Sequence, residues 1–589
     1  MIKKYYKYEK YLREELIDEL ETLKKKKYGL VWDKKNSQEM LDAFVNWENV
    51  PENFTPKQFP VLKEVKNKEI ENDKNKPVNL LIEGDNYHSL AVLNFTHQNA
   101  IDVIYIDPPY NTGNKDFIYN DKFIDKEDPF RHSKWLSFMD KRLRLAHRLL
   151  KNTGIIFISI DDNEQAQLRL LCDEIFGENN FITNIIWQSK TGASDAKTID
   201  TTTEYILVYV KSEKGKKKFS RNKFSYEEKR YHFKDKYEKD RGTYYPDNLD
   251  RGGLRYSDSL NYSIICPDGT KTYPNGRTEF INDGWTWKWG NEKVQWGIKN
   301  GYIEFKKTKK KKSGWAVYYK NYMFADNEGN PIERSAPQKN IITDIKTGEG
   351  AIIIKELFGY QLFKYSKPVQ LIKRILNYVD FNKDSTVLDF MAGSGTAGQA
   401  VMELNNEDEL NLKFILCTND EELDNNGNSK KHKICSDICY PRVEKVINGY
   451  KNSKGEKVVG LGGNLKYFKT DFVGSDSTDK NKRDLVNKSA EMICIKEDIF
   501  DLVADGGLDY RIYQKGKKFL GVIFDIDAIV NFKKEAEKHK GNFVVYCFSY
   551  VEEIPKKEFT GLKNKYVFEP IPAVILKVYE EIFNKKVVK

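Results

Sequence analysis

Short apolar runs alternate with amphipathic segments along two stretches of the chain. In the first stretch the apolar runs end at Ile82, Ile106 and Ile160, and the residues between them have helical spacing. The second stretch begins near residue 351 and has apolar runs at 386–390 and 414–418. Strands that alternate with helices favour parallel pairing, because each helix returns the chain to the same edge of the sheet. The pattern therefore predicts an α/β fold built on a doubly wound, mostly parallel sheet.

This alternation stops between about residues 212 and 350. Short β-like segments in this region lie among turn signals such as Asp268-Gly269, and tyrosine and tryptophan are frequent. Two lysine-rich runs, 214–218 and 306–312, lie here as well. These features predict an inserted, β-rich domain whose surface is basic and aromatic.

The changes of pattern divide the chain into five segments. Leu12, Leu16, Leu20 and Leu23 recur at helical spacing near the N-terminus. The predicted segments are an N-terminal helical extension (1–75), the first half of the α/β domain (76–211), the inserted β-rich domain (212–350), the second half of the α/β domain (351–454) and a C-terminal α/β domain of unknown role (455–589).

Composition limits the kind of protein that this can be. The chain has 589 residues, 32% of them charged, and no run approaches the roughly 18–20 apolar residues that a membrane span needs. Its 7 cysteines are too dispersed for a disulfide framework. We therefore expect several domains, no membrane segment and a reducing, cytoplasmic location. The net charge of +10 alone is a weak indication of a nucleic-acid partner, and clustering of the lysines carries more weight.

The tetrapeptide Asp107-Pro108-Pro109-Tyr110 directly follows the apolar run at 101–106. It therefore lies at the carboxyl end of a predicted buried strand, where ligands bind in open α/β sheets. The prolines fix φ and have no N–H groups, so nearby carbonyl oxygens are held stiffly and stay free to accept hydrogen bonds. An acid, free carbonyls and an aromatic ring suit a planar base that carries an exocyclic amine.

A second turn, Asp389-Phe390-Met391-Ala392-Gly393-Ser394-Gly395-Thr396, joins a predicted strand to a helix. Its glycines let the backbone approach a ligand closely. The turn lacks the third glycine of a dinucleotide-binding fingerprint, and no GxxxxGK[ST] phosphate loop occurs in the chain. Two such turns fit one sheet with adjacent pockets, one for a flat base and one for a cofactor that is not held by a triphosphate.

Together the two turns resemble those of DNA amino-methyltransferases, in the order of the β class: catalytic turn, inserted domain, cofactor turn. The stretches at about 80–210 and 355–450 are similar to the modification (Mod) subunits of type III restriction–modification systems. The segments that carry this resemblance are IYIDPPYNTG (104–113), WLSFM (135–139), ISIDDNE (158–164), EIFGE (174–178), EYILVY (204–209) and YSKP (365–368). The resemblance implies a permuted, Rossmann-like methyltransferase fold, S-adenosylmethionine as the cofactor, and target recognition by the insert.

The resemblance assigns catalysis to Asp107, Pro108, Pro109 and Tyr110. Asp107 would accept one hydrogen bond from the N6 amine of a flipped-out adenine, the Pro108 carbonyl would accept the other, and Tyr110 would stack on the base. An aspartate at the first position favours adenine N6 over cytosine N4 by family habit. The cofactor turn would consist of Asp389, Phe390, Ala392, Gly393, Gly395 and Thr396.

Three further cofactor contacts are implied, each with an alternative. Lys367 would pair with the cofactor carboxylate, or it is a solvated lysine before a helix. Asp85 would meet the adenine amine of the cofactor, or it caps the following helix. Asp420 would bind the cofactor ribose, with Asn419 or Glu421 as the alternatives.

A metal site is not expected. His432, Cys435 and Cys439 have the spacing H-x2-C-x3-C, but no second pair of ligands lies nearby in the sequence. These side chains are better explained as core or loop residues.

The leading hypothesis is a site-specific DNA adenine N6-methyltransferase that acts on double-stranded DNA. The resemblance implies a homodimer and a separate helicase–nuclease restriction subunit. No helicase motif lies in this chain, so any ATP-driven cleavage must come from another polypeptide. The alternatives are a solitary methyltransferase, a cytosine N4 methyltransferase, and a DNA-recognition subunit without catalysis of its own.

Overall fold

The computed structural model describes residues 58–583, except 74–75, 114–117, 120–121, 193–197, 223–229, 254–255, 333, 335, 364, 424–431, 476–477, 550–558 and 561–563. The described residues form two compact units. The first unit contains the chain up to Phe219 and again from Lys339 onward, and the second is Ser220–Gln338. The N-terminal helix predicted from the leucine spacing lies outside the described residues.

A sheet of eleven strands forms the centre of the first unit. Ten of its strands are β1 (Gln58–Glu64), β2 (Val78–Glu83), β3 (Ile101–Ile106), β4 (Leu150–Ile160), β5 (Phe181–Gln188), β6 (Thr203–Val210), β7 (Ile341–Ile342), β8 (Thr386–Asp389), β9 (Lys413–Thr418) and β10 (Asn464–Gly474). Their order is β1-β10-β2-β9-β8-β3-β4-β6-β5-β7, and the short strand Ile70–Glu71 pairs with β10. The six strands from β10 to β4 in this order run parallel, as the alternation of strands and helices predicts.

Three strands of this sheet run against their neighbours. β6 is antiparallel to both β4 and β5, and β1 and the short strand Ile70–Glu71 are both antiparallel to β10. An apolar run such as that of β6 predicts burial but not direction, so the reversal is not visible in the sequence. The reversal brings the first residues of β6 to the edge of the sheet where β3 and β4 end, since Tyr205 pairs with Ile160.

Helices cover both faces of the sheet. The described helices of eight residues or more in this unit are α1 (Asn86–Thr96), α2 (Arg131–Leu149), α3 (Gln165–Phe176), α4 (Gly348–Phe358), α5 (Val369–Leu376), α6 (Thr396–Glu407), α7 (Tyr440–Asn448), α8 (Asp479–Glu497), α9 (Ile529–Ala536) and α10 (Ala573–Phe583). Alternate residues of β3 face two different cores: Ile104 and Ile106 pack in the core of α1, α2, α3 and α8, whereas Val103 and Tyr105 pack in that of α4 to α7. No helix among the described residues combines the length and the apolar character needed to cross a bilayer.

Two segments lie in other places than the sequence pattern predicts. Residues 58–71, assigned to the N-terminal extension, form β1 and the strand Ile70–Glu71. Residues 464–474, assigned to the C-terminal domain, form β10, which pairs with β2 on one side and β1 on the other. The central sheet therefore extends at this edge beyond the two predicted halves, because β10 supplies the hydrogen-bonding partner that β2 requires.

The C-terminal residues form a second, mixed sheet in the order of the chain. Its strands are β11 (Asp501–Asp505), β12 (Tyr510–Lys515), β13 (Lys518–Ile523), β14 (Asn542–Phe548) and β15 (Lys565–Ile571). Leu520, Tyr546 and Ile575 share one hydrophobic core with α8 and α1. This sheet is therefore part of the first unit and is packed against the helices of the central sheet.

The second unit, Ser220–Gln338, consists of short strands around an aromatic core. Its main sheet has the order Tyr244–Asn248, Trp315–Tyr322, Ile303–Lys307, and all pairs are antiparallel. Further elements are the strands Arg221–Asn222, Asp250–Gly252, Ile264–Ile265, Lys271–Thr272, Trp285–Trp287 and Ala336–Pro337 and the helices Glu238–Arg241 and Asn291–Lys299. Trp287, Trp289 and Tyr302 are buried in its core.

Candidate active site

The turn at 107–110 lies at the carboxyl edge of the central sheet. β3 ends at Ile106, and its neighbours are β8 and β4. Leu388 of β8 pairs with Ile104 of β3, so Asp389 at the end of β8 is close to Asp107 along the same edge. The structure thus brings the two predicted turns together on adjacent strands.

Asp107 presents a buried acceptor. Its Oδ1 is shielded from solvent, and no described donor is aligned for a hydrogen bond to it. The Nζ of Lys367 lies 3.1 Å away, at ion-pair distance. Burial raises the pKa of Asp107 above its ordinary value, although the charge of Lys367 acts in the opposite direction. A carboxylate in this state still has hydrogen-bonding capacity to offer a ligand.

Tyr110 is held by a lysine and a glutamate. Its hydroxyl donates to Oε2 of Glu204 at 2.9 Å and accepts from Nζ of Lys367 at 2.7 Å. The same Nζ lies 3.2 Å from Oε2 of Glu204 and 4.6 Å from the centre of the Tyr110 ring. Burial opposes the charge of Lys367, but Asp107 and Glu204 outweigh it and raise the pKa of this lysine. The side-chain amine of Lys367 is therefore protonated, and its positive charge lies among the side chains of the turn.

Neighbouring side chains fix the backbone of the turn. Trp135 Nε1 donates to the Pro109 carbonyl at 2.7 Å, so this oxygen is already engaged. Asn111 has a left-handed backbone with φ 57°, and its Nδ2 donates to Oε1 of Glu164 at 2.5 Å. Nδ1 of His132 lies 2.7 Å from the same Oε1. Glu164 is fully buried, so the residue after the tetrapeptide is anchored from inside the unit.

The glycine turn begins at a buried acid. Asp389 is 3% exposed, and its Oδ1 accepts from the Met391 N–H at 3.0 Å. Burial raises the pKa of Asp389 well above its ordinary value. Phe390 and Ala392 are buried, and the Ala392 N–H donates to the Cys417 carbonyl of β9 at 3.1 Å.

The two glycines of this turn have different surroundings. Both adopt left-handed φ values, 49° for Gly393 and 80° for Gly395. A Cβ at Gly393 would meet only ordinary contacts, the nearest with the Phe363 ring at 3.6 Å. A Cβ at Gly395 would lie 3.0 Å from Sγ of Cys439. Gly393 therefore leaves space beside the turn, whereas Gly395 allows close packing with the segment that precedes α7.

A buried arginine joins the glycine turn to the YSKP segment. Nη1 of Arg442 donates to Thr396 Oγ1 at 2.8 Å, to Ser394 Oγ at 2.9 Å and to Ser366 Oγ at 3.2 Å. Burial lowers the pKa of Arg442 to about 10, which leaves it charged at neutral pH. Ser366 is thus tied to the glycine turn, while the adjacent Lys367 contacts Asp107 and Tyr110. Two consecutive residues connect the two turns.

The remaining predicted cofactor residues have local partners. Asp85 caps α1 by accepting from the Tyr87 N–H at 2.7 Å, and it also contacts Nη2 of Arg142 at 3.3 Å. Asp420, beyond the end of β9, accepts from the Ser436 N–H at 2.7 Å. The cap is the alternative considered for Asp85, and both carboxylates lie beyond the ends of strands at the same edge as Asp107.

Sequence reasoning assigned no role to three residues of this site. Glu204 is the one acid of the apolar strand β6, and Glu164 precedes α3 in the turn after β4; each lies in a segment that carries the family resemblance, EYILVY and ISIDDNE. Arg442 lies on α7, in a stretch that carries no such signal. Their contacts join positions far apart in the chain, such as Glu204 with Lys367 and Arg442 with Ser366.

The cysteines near this site are packing residues. Cys435 and Cys439 are buried in the core of α4 to α7, and Sγ of Cys435 lies 3.4 Å from the Tyr467 hydroxyl. Among the described residues, no group of three metal-binding side chains is close enough to hold an ion.

Comparisons with known proteins agree with this geometry. The DNA methylase family model (N6_N4_Mtase) matches residues 101–428, which include both turns. The StyLTI Mod subunit of Salmonella typhimurium, a type III restriction-modification protein, is 36% identical over 62% of this chain and 57% of its own length. The EcoPI Mod subunit of Escherichia phage P1 is 31% identical over 72% of this chain and 69% of its length. The type II methyltransferase M.KpnI of Klebsiella pneumoniae is 32% identical over 64% of this chain and 89% of its length.

The chain spans little more than half of the StyLTI subunit and most of M.KpnI. The family match covers more than half of the chain, and it extends from β3 to beyond β9. The resemblance predicted from the two turns is thereby confirmed. The chain belongs to the DNA methylase family and is similar to the Mod subunits of type III restriction-modification enzymes.

Proposed function

We propose that this chain transfers the methyl group of S-adenosylmethionine to the N6 amine of an adenine in double-stranded DNA. It acts as the site-specific modification subunit of a type III restriction–modification system. The observation that carries the proposal is the buried Oδ1 of Asp107 beside the glycine turn, an acceptor to which no described residue has an aligned donor, although the ammonium of Lys367 lies 3.1 Å away. A neutral amine is the donor that such a site accepts without bringing in a further charge.

The chemistry requires orientation rather than a strong base. Asp107 and the Pro108 carbonyl would accept the two N–H groups of the amine, which localises its lone pair on nitrogen. When bound, S-adenosylmethionine would supply the methyl group from its sulfonium, so that an N–CH3 bond would form as the S–CH3 bond breaks and S-adenosylhomocysteine leaves as a neutral thioether. The methylated amine would then lose its extra proton to the Asp107 carboxylate. The target base must leave the duplex to reach this depth, and the face of the Tyr110 ring offers it a stacking surface.

The residues at the sheet edge suit this cofactor. At Gly393 the turn has no side chain, so a ligand can approach its backbone beside the Phe363 ring. The acids Asp85, Asp389 and Asp420 would accept from the amine and hydroxyl donors that the cofactor carries. Ser366 and Thr396, tied together by Arg442, fix the turn beneath it.

Adenine is favoured over cytosine by the aspartate at position 107. The similarity to Mod subunits supports the same choice, and it also supports a separate restriction subunit as the partner. The similarity to a type II methyltransferase over 89% of that protein keeps a solitary enzyme as the second candidate.

The second unit is the proposed target-recognition domain. Lys307, Lys309, Lys310 and Lys312 are exposed around the turn between two strands, where they can contact phosphates. Lys311 has another role, since it pairs with Asp250 at 3.2 Å.

The test is methyl transfer from labelled S-adenosylmethionine to unmethylated DNA, followed by digestion to nucleosides. Asp107→Ala should abolish transfer and retain DNA binding, because the duplex is held mainly by phosphate contacts outside the pocket. Asp161→Asn is the matched control, since Asp161 follows β4 at the same edge and its carboxylate, among the described residues, accepts hydrogen bonds from Asn163 alone. Full transfer by Asp107→Ala would remove this residue from the mechanism.

The partner and the oligomeric state need separate measurements. Light scattering of the purified chain should give the mass of a dimer. If a neighbouring gene encodes a helicase–nuclease, its co-expression with this chain should yield a complex that co-purifies. Persistent methylation without any such partner gene would favour the solitary enzyme.

A further inference from the structure

The ammonium of Lys367 occupies the surfaces that the proposed function gives to the target base. It lies 3.1 Å from Oδ1 of Asp107, the acceptor for the amine, and 4.6 Å from the centre of the Tyr110 ring, the stacking face. The side chain of Lys367 is 12% exposed, so this is a buried arrangement and not a surface contact. A base that donates its amine to Oδ1 and stacks on this ring would therefore compete with the ammonium for the same acceptor and the same ring face.

A second carboxylate offers the ammonium another partner. Glu204 Oε2 lies 3.2 Å from Nζ, and its side chain is 15% exposed. It reaches the site from the start of β6, whereas Asp107 follows β3. An ammonium between two half-buried carboxylates can lose one of them and keep its charge compensated by the other.

We propose that Lys367 is an intrinsic competitor for the target-base pocket and that Glu204 is the positioning residue that draws it away from Asp107 when the base enters. This inference rests on the proposed function. Ser366 is fixed to the glycine turn, so the backbone next to the lysine stays in place and only its side chain moves. Glu204 thereby sets how readily Asp107 becomes available to the amine.

The assignment differs from a role for Lys367 at the cofactor carboxylate. A cofactor contact predicts that loss of the lysine weakens the binding of S-adenosylmethionine. The competitor role predicts unchanged cofactor binding and an effect on DNA alone. Calorimetry with S-adenosylmethionine and Lys367→Met separates the two roles without any need for turnover.

The decisive test is a double-mutant cycle on the apparent KM for DNA at saturating S-adenosylmethionine. Glu204→Gln keeps an acceptor for the Tyr110 hydroxyl but removes the charge, so Lys367 pairs with Asp107 alone. The KM for DNA should rise about tenfold while kcat changes less than about threefold. Lys367→Met should leave KM at the wild-type value or below it. In the Lys367→Met background, Glu204→Gln should change KM less than about twofold.

The assays are run at pH 8.5, because loss of the ammonium raises the pKa of Asp107 and this carboxylate must stay ionised. Glu204→Asp, which keeps the charge, should restore part of the KM. Glu64→Gln is the matched control, since Glu64 is 17% exposed and pairs with the buried Lys466 on β10. It should leave KM unchanged. If Lys367→Met melts at a much lower temperature, Lys367→Gln replaces it in the cycle.

The outcomes are distinct. An equal rise in KM from Glu204→Gln in both backgrounds overturns the inference, as does a tenfold rise from Lys367→Met alone. Unchanged KM in Glu204→Gln overturns it as well. In these cases the wild-type enzyme still methylates DNA, so the proposed function stands. If the wild type transfers no methyl group, the proposed function fails and the inference fails with it.

Discussion

At the scale of the residue, the proposed activity depends on the ionisation of Asp107. A protonated carboxyl would lose acceptor capacity, so the activity requires the ionised form. Burial and the charge of Glu204 raise the pKa of Asp107 above its ordinary value of 3.8. The activity is therefore present at high pH and is lost as the pH falls through the raised pKa.

This gives a prediction for the pH profile of kcat/KM. The acid limb of the wild type should lie above pH 3.8, and Glu204→Gln should move it to lower pH, because a neighbouring negative charge is removed. The Glu64→Gln profile should coincide with that of the wild type. A limb at the same pH in Glu204→Gln would show that another group controls the activity.

Arg442 is the second residue on which the site depends. Arg442→Met removes the donors to Ser366, Ser394 and Thr396, and we expect the Kd for S-adenosylmethionine to rise about tenfold or more. The free energy of unfolding should fall by about 3 kcal/mol, since buried polar groups lose their partner. Calorimetry and denaturant unfolding measure the two effects.

Arg277→Met is the control for this substitution. Arg277 is a buried arginine of the second unit that donates to the Pro274 carbonyl and to Asn261. Its loss should lower stability but leave the affinity for S-adenosylmethionine unchanged. Equal cofactor affinity in Arg442→Met and wild type would contradict the role given to the arginine.

Single residues also show how far the sequence can predict the site. Asp107 and Asp389 were chosen as candidate site residues because each lies at the end of an apolar run, and such a run is a local signal. The contact of Lys367 with Glu204 joins two segments that are far apart in the chain, and no local pattern encodes it. The position of Lys367 near the site was expected from the resemblance, but its contact with the catalytic turn was not.

At the scale of the element, the glycine turn supports α6 and α7 together. Gly395→Ala would require a left-handed φ of an alanine and would bring its Cβ within 3.0 Å of Cys439 Sγ. We expect the free energy of unfolding to fall by about 1–3 kcal/mol and the affinity for S-adenosylmethionine to decrease. Thermal unfolding and calorimetry measure both.

Gly359→Ala separates strain from contact. Gly359 has φ 83°, close to the 80° of Gly395, but a Cβ there meets no atom within 4 Å. The Gly359→Ala variant should lower the free energy of unfolding only by the backbone strain, and it should leave the affinity for S-adenosylmethionine unchanged. If the two variants behave alike, the contact of Gly395 with Cys439 has no energetic role.

The orientation of β6 in the central sheet is the feature that the sequence predicted least well. Its apolar residues indicate a buried strand in either direction. The antiparallel pairing with β4 and β5 is decided by tertiary packing, and it is this pairing that brings Glu204 to the carboxyl edge.

At the scale of the whole molecule, the second unit has its own core and is bounded by two nearby connections. Arg221 pairs with Pro337, and both Phe219 and Lys339 contact the segment Tyr378–Val379. Replacing residues 220–338 by a short glycine-serine linker should therefore leave the first unit folded and able to bind S-adenosylmethionine. Site-specific DNA binding should be lost.

Calorimetry and a gel-shift assay check this deletion. An unfolded product would show that the first unit needs the second for stability. Unaltered site-specific DNA binding by the deletion variant would show that the second unit does not recognise the target sequence.

The segment boundaries show the same limit of prediction at this scale. The change of pattern located the insert at 212–350, and the second unit covers Ser220–Gln338. The strands at 58–64 and 464–474 were assigned to the flanking segments. They belong to the central sheet because they pair with each other across about 400 residues of sequence. Composition and periodicity carry no information on such pairing.

The most direct test of the central claim is the mapping of methylated bases in DNA from a methylation-deficient host that expresses this chain. We predict N6-methyladenine at one short sequence motif with the wild type and with Asp161→Asn, and its absence with Asp107→Ala. N4-methylcytosine as the sole methylated base would contradict the proposed adenine N6 activity, and so would N6-methyladenine that persists with Asp107→Ala.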